Sequence, residues 1–272
     1  MMHALVVSVP EVDVELASDV LWSFGVVAIE ERPTANHAVE LWTSLGDDID
    51  AVSAALSQRL DPWPWRFVEV DETVADNWRT YAKPVWVDSD LVICPSWVPF
   101  APAAGVTVLR IEPGSTFGMG DHPTTILSMR AIRAALVKGA TVLDVGCGSG
   151  VLAVGACVLG ASQATAIDIS PASVPTTEAN AAANGVADRV QVSTTPLTQV
   201  DGTYDIVVAN ILAPVLVELA DDLRRVVAPS GVLIISGVLA GRHQHVEEAL
   251  RPLRAKRVDS YDGWAAVTLA AG

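Results

Sequence analysis

Positive charge is scarce in this chain: 17 lysines and arginines stand against 32 acids, a formal net charge of −15. Sequence-independent binding to nucleic acid needs cations that neutralise phosphates, so this composition opposes it. The deficit is uneven. Residues 1–83 hold 15 acids and 5 cations, a net of −10, and residues 84–272 hold 17 acids and 12 cations, a net of −5. A basic partner is drawn instead, most strongly to the N-terminal third, although ordinary solubility accounts for such charge equally well. Cysteine is scarce too. Cys94, Cys147 and Cys157 are odd in number and lack zinc-ligand spacing, which argues against a disulfide framework or a zinc site and fits a reduced, cytoplasmic protein. The first ten residues show no basic segment followed by a long apolar core, so no signal peptide is expected. There is no internal repeat and no low-complexity stretch. What remains is 272 residues, 51% hydrophobic, enough to exclude a disordered chain and to bury one large core or two smaller ones.

One further absence is local. No charged residue lies between Asp144 and Asp168. That length raises the question of a membrane span. The stretch contains five glycines together with Ser149, Ser162, Gln163 and Thr165, and its two ends read as strands. A βαβ unit covered on both faces explains it better, and no membrane association is expected.

Residues 141–150, Thr-Val-Leu-Asp-Val-Gly-Cys-Gly-Ser-Gly, are the most informative part. An aliphatic run (Val142, Leu143, Val145) enters a turn with glycine at 146, 148 and 150, and the chain continues as a helical Val-Leu-Ala-Val. Glycine permits positive φ and lets backbone approach a ligand that a Cβ would push away. Asp168 ends the next apolar run, where a carboxylate accepts both hydroxyls of a ribose. Asp144 and Asp168 thus bracket an expected adenosine-cofactor pocket. The spacing is G-x-G-x-G, unlike the dinucleotide fingerprint, and Asp-x-Gly-x-Gly-x-Gly resembles the first motif of class I S-adenosylmethionine-dependent methyltransferases.

Upstream, strands are expected at 4–9, 26–29, 38–42 and 67–70. Helices are expected at 12–24, with Val12, Leu16, Val20 and Phe24 at four-residue spacing, and at 47–60, with an acidic first turn of Asp47, Asp48 and Asp50. The order β-α-β-β-α-β suggests a small ferredoxin-like α+β domain over 1–70. Residues 71–83 read as a polar linker helix carrying Trp78 and Tyr81, stopped by Pro84. From 84 to 272, short strands near 86, 91–94 and 106–111 and a loop over 112–125 precede a doubly wound α/β core. Its strands are expected near 141–145, 164–168, 189–193, 204–209 and 231–236, with a terminal hairpin, 256–259 and 265–269, around Asp262-Gly263.

Two further constellations stand out. Phe117-Gly118-Met119-Gly120-Asp121-His122-Pro123-Thr124-Thr125 sets two alternating glycines before a helix start, where proline is tolerated and a threonine hydroxyl caps the helix or meets a ligand. Asp205-Ile-Val-Val-Ala-Asn210-Ile211-Leu212-Ala213-Pro214 sets Asn210 at the C-terminal end of a central strand, where open α/β sheets hold ligands, although a helix-capping asparagine reads the same way. Taken with the glycine turn, these motifs resemble the bacterial PrmA family, which methylates amino groups of large-subunit ribosomal protein eleven. The resemblance covers nearly the whole chain, including Pro95-Ser96-Trp97. It implies S-adenosylmethionine as cofactor, a Rossmann-like class I core, and an N-terminal substrate-recognition domain. Thr125, Gly146, Asp168 and Asn210 fall on the family's cofactor-contacting positions, and Phe117, Gly118, Asp144, Gly148 and Gly150 are expected beside them. The family's usual Phe-Gly-Thr-Gly-Thr-His is altered here, Met119 and Asp121 replacing the threonines.

The implied chemistry is in-line methyl transfer from a sulfonium to a protein amine, lysine or α-amino, on a basic ribosomal protein. Asn210 is expected to orient the amine or the cofactor, and His122 is the only candidate base near the cofactor loops. Glutamine- and base-amino methyltransferases tend to carry Asn-Pro-Pro-aromatic where this chain has Asn-Ile-Leu-Ala, and the missing aromatic platform favours a flexible aliphatic amine. A ribosomal RNA target asks for a basic surface. A catalytically silent cofactor-binding or ribosome-docking protein is the alternative from another class, separable by turnover. No metal is implied, and a monomer is expected.

Overall fold

A computed structural model of the protein describes residues 2–22, 24, 26, 29–34, 37–43, 53, 56–57, 59–70, 82–112 and 120–272. The chain divides into two compact units, Met1–Ala82 and Lys83–Gly272.

The first unit holds an antiparallel sheet of β1 (Met2–Pro10), β2 (Glu30–Pro33), β3 (Ala38–Thr43) and β4 (Trp65–Val70), in the order β2-β3-β1-β4. β3 separates β1 from β2, and β1 separates β3 from β4, the strand order of a split βαβ arrangement. Helix α1 (Val14–Trp22) follows a 3-10 turn, Glu11–Asp13. Its apolar face differs from the expected one. Ala17 and Leu21 are fully buried, whereas Val12 is 89% exposed and Leu16 60%. At about 100° per residue, a four-residue repeat drifts about 40° at each step, so the stripe from Val12 to Phe24 winds off the core. Residues 27 and 28 of the strand expected at 26–29 lie outside the described residues, and the second described strand is β2. β2 is a polar edge strand in which Arg32 pairs with Glu30 at 2.8 Å and stacks over the Trp42 ring at 3.9 Å. Charged edges of this kind resist pairing with other chains and leave no apolar alternation to read. The acidic turn at 47–50 and residues 71–81 of the linker lie outside the described residues. Leu56, Leu60 and Trp63 pack with Leu5, Val7 and Leu41 in this unit's own core.

The second unit opens with a small sheet: β5 (Val85–Trp86), β6 (Leu91–Pro95) and β7 (Thr107–Ile111), β6 and β7 being parallel. Helix α2 (Pro123–Ala135) packs beside it, tied by Arg133, whose Nη1 lies 2.6 Å from both Asp88 and Asp90. The main sheet has seven strands: β8 (Thr141–Val145), β9 (Gln163–Ile167), β10 (Val190–Ser193), β11 (Tyr204–Asn210), β12 (Val227–Leu239), β13 (Arg254–Tyr261) and β14 (Trp264–Ala270). Their order is β10-β9-β8-β11-β12-β14-β13. β8 to β12 are parallel, and β14 runs antiparallel between β12 and β13. Asp262 and Gly263 both have positive φ (50° and 79°), the backbone of a two-residue hairpin turn. The connecting helices are α3 (Val151–Leu159), α4 (Ser173–Ala183), α5 (Ala213–Glu218), α6 (Ala220–Arg225) and α7 (Gln244–Ala249).

Two apolar clusters cover the two faces of the main sheet. One joins α2 and α3 to Val142, Val208 and Ile234, and the other joins α5, α6 and α7 to Leu143, Val207 and Leu233. Alternate residues of β8, β11 and β12 feed opposite clusters, as the pleat dictates, so these strands are apolar on both sides. That accounts for the charge-free stretch after Asp144: α3 is buried from Val151 to Cys157. No helix among the described residues is long and apolar enough to cross a membrane.

Candidate active site

The strand register builds the site. Val145 pairs with Ile167 on one side and Ala209 on the other. The next residue of each strand, Asp168, Gly146 and Asn210, therefore falls in a row along the C-terminal edge of the sheet, with about 4.8 Å between neighbouring strands. β8 is also where the strand order reverses, running to β9 and β10 one way and to β11 and β12 the other. Open α/β sheets bind ligands at such a switch point.

Gly146, Gly148 and Gly150 all adopt left-handed φ (75°, 53° and 75°). A Cβ on Gly146 would lie 2.5 Å from Cγ2 of Ile211, and one on Gly150 would lie 2.5 Å from Cγ2 of Thr177. The glycines thus let the turn lie flat against its own protein as well as open to a ligand. Asp168 braces the turn from the side: Oδ2 accepts the Gly148 N–H at 2.7 Å, and Oδ1 accepts that of Ser170 at 2.8 Å. Each oxygen keeps a further lone pair. Ile169 beside it is 97% exposed, an aliphatic surface at the rim that sequence reasoning passed over.

Asp144 is placed differently from a pocket wall. It is 1% exposed beneath the turn, and its Oδ2 accepts the Ala153 N–H at 3.0 Å. Because Gly150 has no side chain to cap α3, Asp144 supplies that acceptor from the strand. Burial is the largest influence on its carboxyl and pushes it up to about 7; the Ala153 N–H opposes the rise and the charge of Asp168 adds to it. Asp144 Oδ1 and Thr125 Oγ1 are buried without a hydrogen-bond partner among the described residues.

A depression over the turn is lined by Thr125, Gly146, Cys147, Gly148, Val151, Leu152 and Asn210. Of the expected residues, Thr125, Gly146, Gly148 and Asn210 meet here, with Asp168 bonded to the turn. Gly150 and Asp144 lie behind it, and Phe117 and Gly118 fall outside the described residues. Cys147, Val151 and Leu152 were not foreseen as walls. Burial raises the Cys147 thiol well above its ordinary range, which keeps it protonated. His122 caps α2: its Nδ1 accepts the Thr124 N–H at 3.3 Å and lies 2.7 Å from Thr124 Oγ1. Its ring packs edge-on against Trp264 at 5.0 Å. Burial lowers its pKa, partly opposed by Asp121 and Asp262.

Behind the row, Gly237 (φ 82°) makes room for Ile211. A Cβ there would lie 2.4 Å from the Ile211 carbonyl oxygen. Ile211 is thus gripped between two glycines, Gly146 and Gly237, and this fixes the exit of β11 just after Asn210. Only Gly146 belonged to a recognisable motif.

Known proteins resemble this chain over most of its length. The family described as ribosomal protein L11 methyltransferase (PrmA) matches residues 48–271. A ribosomal protein L11 methyltransferase of Geotalea daltonii is 38% identical over 258 residues, covering 87% of this chain and 82% of the relative. One of Heliobacterium modesticaldum is 32% identical over 276 residues, covering 97% and 87%. The crystal structure of a ribosomal protein L11 methylase from Lactobacillus delbrueckii subsp. bulgaricus superposes with a TM-score of 0.65 at 34% identity, over 70% of this chain and 98% of that one. The switch-point row, the glycine turn and the likeness along nearly the full length lead to one assignment: the chain belongs to the ribosomal protein L11 methyltransferase (PrmA) family.

Proposed function

We propose that this protein is an S-adenosylmethionine-dependent methyltransferase that N-methylates large-subunit ribosomal protein L11, at lysine side chains and the α-amino group. The observation that carries the reading is the row of Asp168, Gly146 and Asn210 at the switch point, with the unpartnered Thr125 hydroxyl in the same depression. Its donor set fits the cofactor: Asp168 offers acceptors for ribose hydroxyls, Ile169 an apolar face for a base, and Thr125 a buried hydroxyl for a polar group. S-adenosylmethionine, when bound, supplies a methyl group carried on a sulfonium.

The residues around that methyl group position more than they titrate. The lining side chains are those of threonine, cysteine, valine, leucine and asparagine, and the thiol is held protonated. None of them takes a proton near neutral pH. The amine therefore loses its proton before attack, and a free lysine with pKa about 10.4 is about one-thousandth neutral near pH 7.4. Desolvation raises that fraction. Asn210 presents a carboxamide that orients the nitrogen, and holding it about 3–3.5 Å from the methyl carbon supplies most of the rate. We assign His122 a positioning role at the start of α2, since its Nδ1 is committed to Thr124 and its backbone carbonyl accepts the Thr125 N–H at 3.0 Å.

The first unit is the recruiting module in this reading. Residues 1–83 carry a net charge of −10, which suits a basic ribosomal protein and disfavours direct contact with RNA phosphates. Three buried free thiols suit the reducing cytoplasm. The test is to incubate the protein with tritiated S-adenosylmethionine and ribosomal fractions and to map the label by mass spectrometry. Label on amino groups of ribosomal protein L11 is expected. Label on RNA, label on a glutamine amide, or no transfer at all overturns the proposal.

A further inference from the structure

Helix α4 carries two asparagines, Asn180 and Asn184, that belong to none of the motifs above. Asn180 is 1% exposed, and its single carboxamide makes three hydrogen bonds. Nδ2 donates to the carbonyls of Glu112 (2.8 Å) and Ser149 (2.9 Å), and Oδ1 accepts the Glu112 N–H at 2.8 Å. One turn on, Asn184 does the same to Arg110: Oδ1 accepts its N–H at 2.9 Å, and Nδ2 donates to its carbonyl at 2.6 Å. The spacings match. Four helical residues rise about 6 Å, and two strand residues rise about 6.6 Å. The pair therefore completes the open edge of β7 in place of a neighbouring strand.

Only Asn180 also reaches the cofactor turn. Thr177, three residues earlier on the same face, donates to the Gly148 carbonyl at 3.3 Å. With the carbonyls of Gly148 and Ser149 both tied to α4, planar trans peptides turn the Ser149 N–H the other way, while the Gly150 N–H closes the turn on the Cys147 carbonyl at 2.8 Å.

We propose that Asn180 is a positioning residue of the methyl-transfer site, whose carboxamide sets the Ser149 peptide of the glycine turn and the Glu112 backbone in fixed relation. This rests on the reading of the turn as the cofactor site. Asn184 is the internal control, since it holds Arg110 by the same pair of backbone bonds, and its remaining bond goes to the Asn180 carbonyl within α4 (2.8 Å) rather than to the turn.

The test compares full-length wild type, Asn180→Ala and Asn184→Ala by calorimetry with S-adenosylhomocysteine, by steady-state kinetics and by melting. Asn180→Ala is expected to raise the cofactor-product Kd at least tenfold and to lower kcat at saturating cofactor about tenfold. Asn184→Ala, at a comparable loss of Tm, is expected to stay within twofold in both. Equal effects in the two variants, or a folded Asn180→Ala that binds and turns over like wild type, overturns the proposal. Should Asn180→Ala not fold, hydrogen exchange on the wild type decides. S-adenosylhomocysteine is expected to slow the Glu112 amide, bonded to Asn180, at least fivefold, and to leave the Arg110 amide, bonded to Asn184, unchanged. An unaffected Glu112 amide, or equal slowing of both, refutes it. Failure of the wild type to bind S-adenosylhomocysteine sinks the cofactor reading itself, and this inference with it.

Discussion

Substituting Gly237 with alanine separates two costs that usually arrive together. The first is conformational: φ at 237 is 82°, and a left-handed L-residue costs about 1–2 kcal/mol, offset by about 0.4–1 kcal/mol from the stiffer unfolded chain. The second is steric, because the new Cβ would lie 2.4 Å from the Ile211 oxygen and 2.9 Å from its carbonyl carbon. These are backbone atoms of a residue whose side chain is confined against Gly146, and forced overpacking costs about 1–3 kcal/mol. Gly139 provides the reference. Its φ is 89° and a Cβ added there would meet nothing within 4 Å, so Gly139→Ala carries the conformational cost alone. We expect a loss of about 0.5–1 kcal/mol for Gly139→Ala and about 2–4 kcal/mol for Gly237→Ala. For a folding unit this large, each kcal/mol moves Tm by about 2–4 °C, so Gly237→Ala should melt roughly 5–15 °C lower. Moving Ile211 also moves Asn210, and about 1 Å of misplacement costs roughly 100-fold in rate. Methyl transfer should therefore collapse in the folded Gly237→Ala protein and persist in Gly139→Ala. Melting by circular dichroism and turnover with the ribosomal substrate read both effects. If the two variants lose stability within about 0.5 kcal/mol of each other, the grip on Ile211 is not what Gly237 provides.

Three other outcomes are expected. Asp168→Ala removes a charged acceptor worth about 1.5–3 kcal/mol per hydrogen bond, so calorimetry should show cofactor affinity reduced about ten- to a hundredfold, and unchanged affinity excludes Asp168 from the site. Asp144, raised by burial to about 7 in the folded state against about 3.9 unfolded, binds its proton more tightly when folded. Its contribution is therefore most favourable below about pH 4 and is lost between about pH 4 and 7, on the order of 4 kcal/mol. Asp144→Asn, which keeps an acceptor for Ala153, should flatten Tm over that window; parallel Tm–pH curves for the two proteins contradict the assignment. In the first unit, Leu21→Ala should cost about 2–5 kcal/mol in urea unfolding and Leu16→Ala about 0.5 kcal/mol or less, and equal losses mean that the buried face of α1 has been misjudged.

Much of the second unit is legible because its strands are covered on both sides. Val142, Leu143 and Val145, or Ile206, Val207 and Val208, read as strands in any window, and the glycines between β8 and α3 mark the turn. The features that escaped have weak signals for physical reasons. β2 is polar because it lies at an edge. α1 buries a face that a strict four-residue spacing misses by gradual rotation. β12 runs from Val227 through Pro229 and Gly231, residues that read as a loop, with its register against β11 shifting between Tyr204 and Ile206. In the site, Asn210 and Asp168 were visible because they end apolar runs. Asn180 and Gly237 were not, since each answers to a backbone carbonyl supplied by a distant part of the chain.

The position of β14 has a kinetic consequence. Among the described residues β13 pairs with no strand except β14, and β14 in turn closes the sheet against β12. The outer strand therefore has nothing to dock onto until the hairpin around Asp262-Gly263 exists. A hairpin forms in about 1–10 μs, far sooner than a long-range parallel sheet assembles. The two strands thus arrive as a preformed ribbon added to an edge, and the sheet's completion depends on a two-residue turn whose neighbour Trp264 packs against His122. Damage to that turn is therefore expected to slow refolding and to reach the start of α2 through the Trp264–His122 contact.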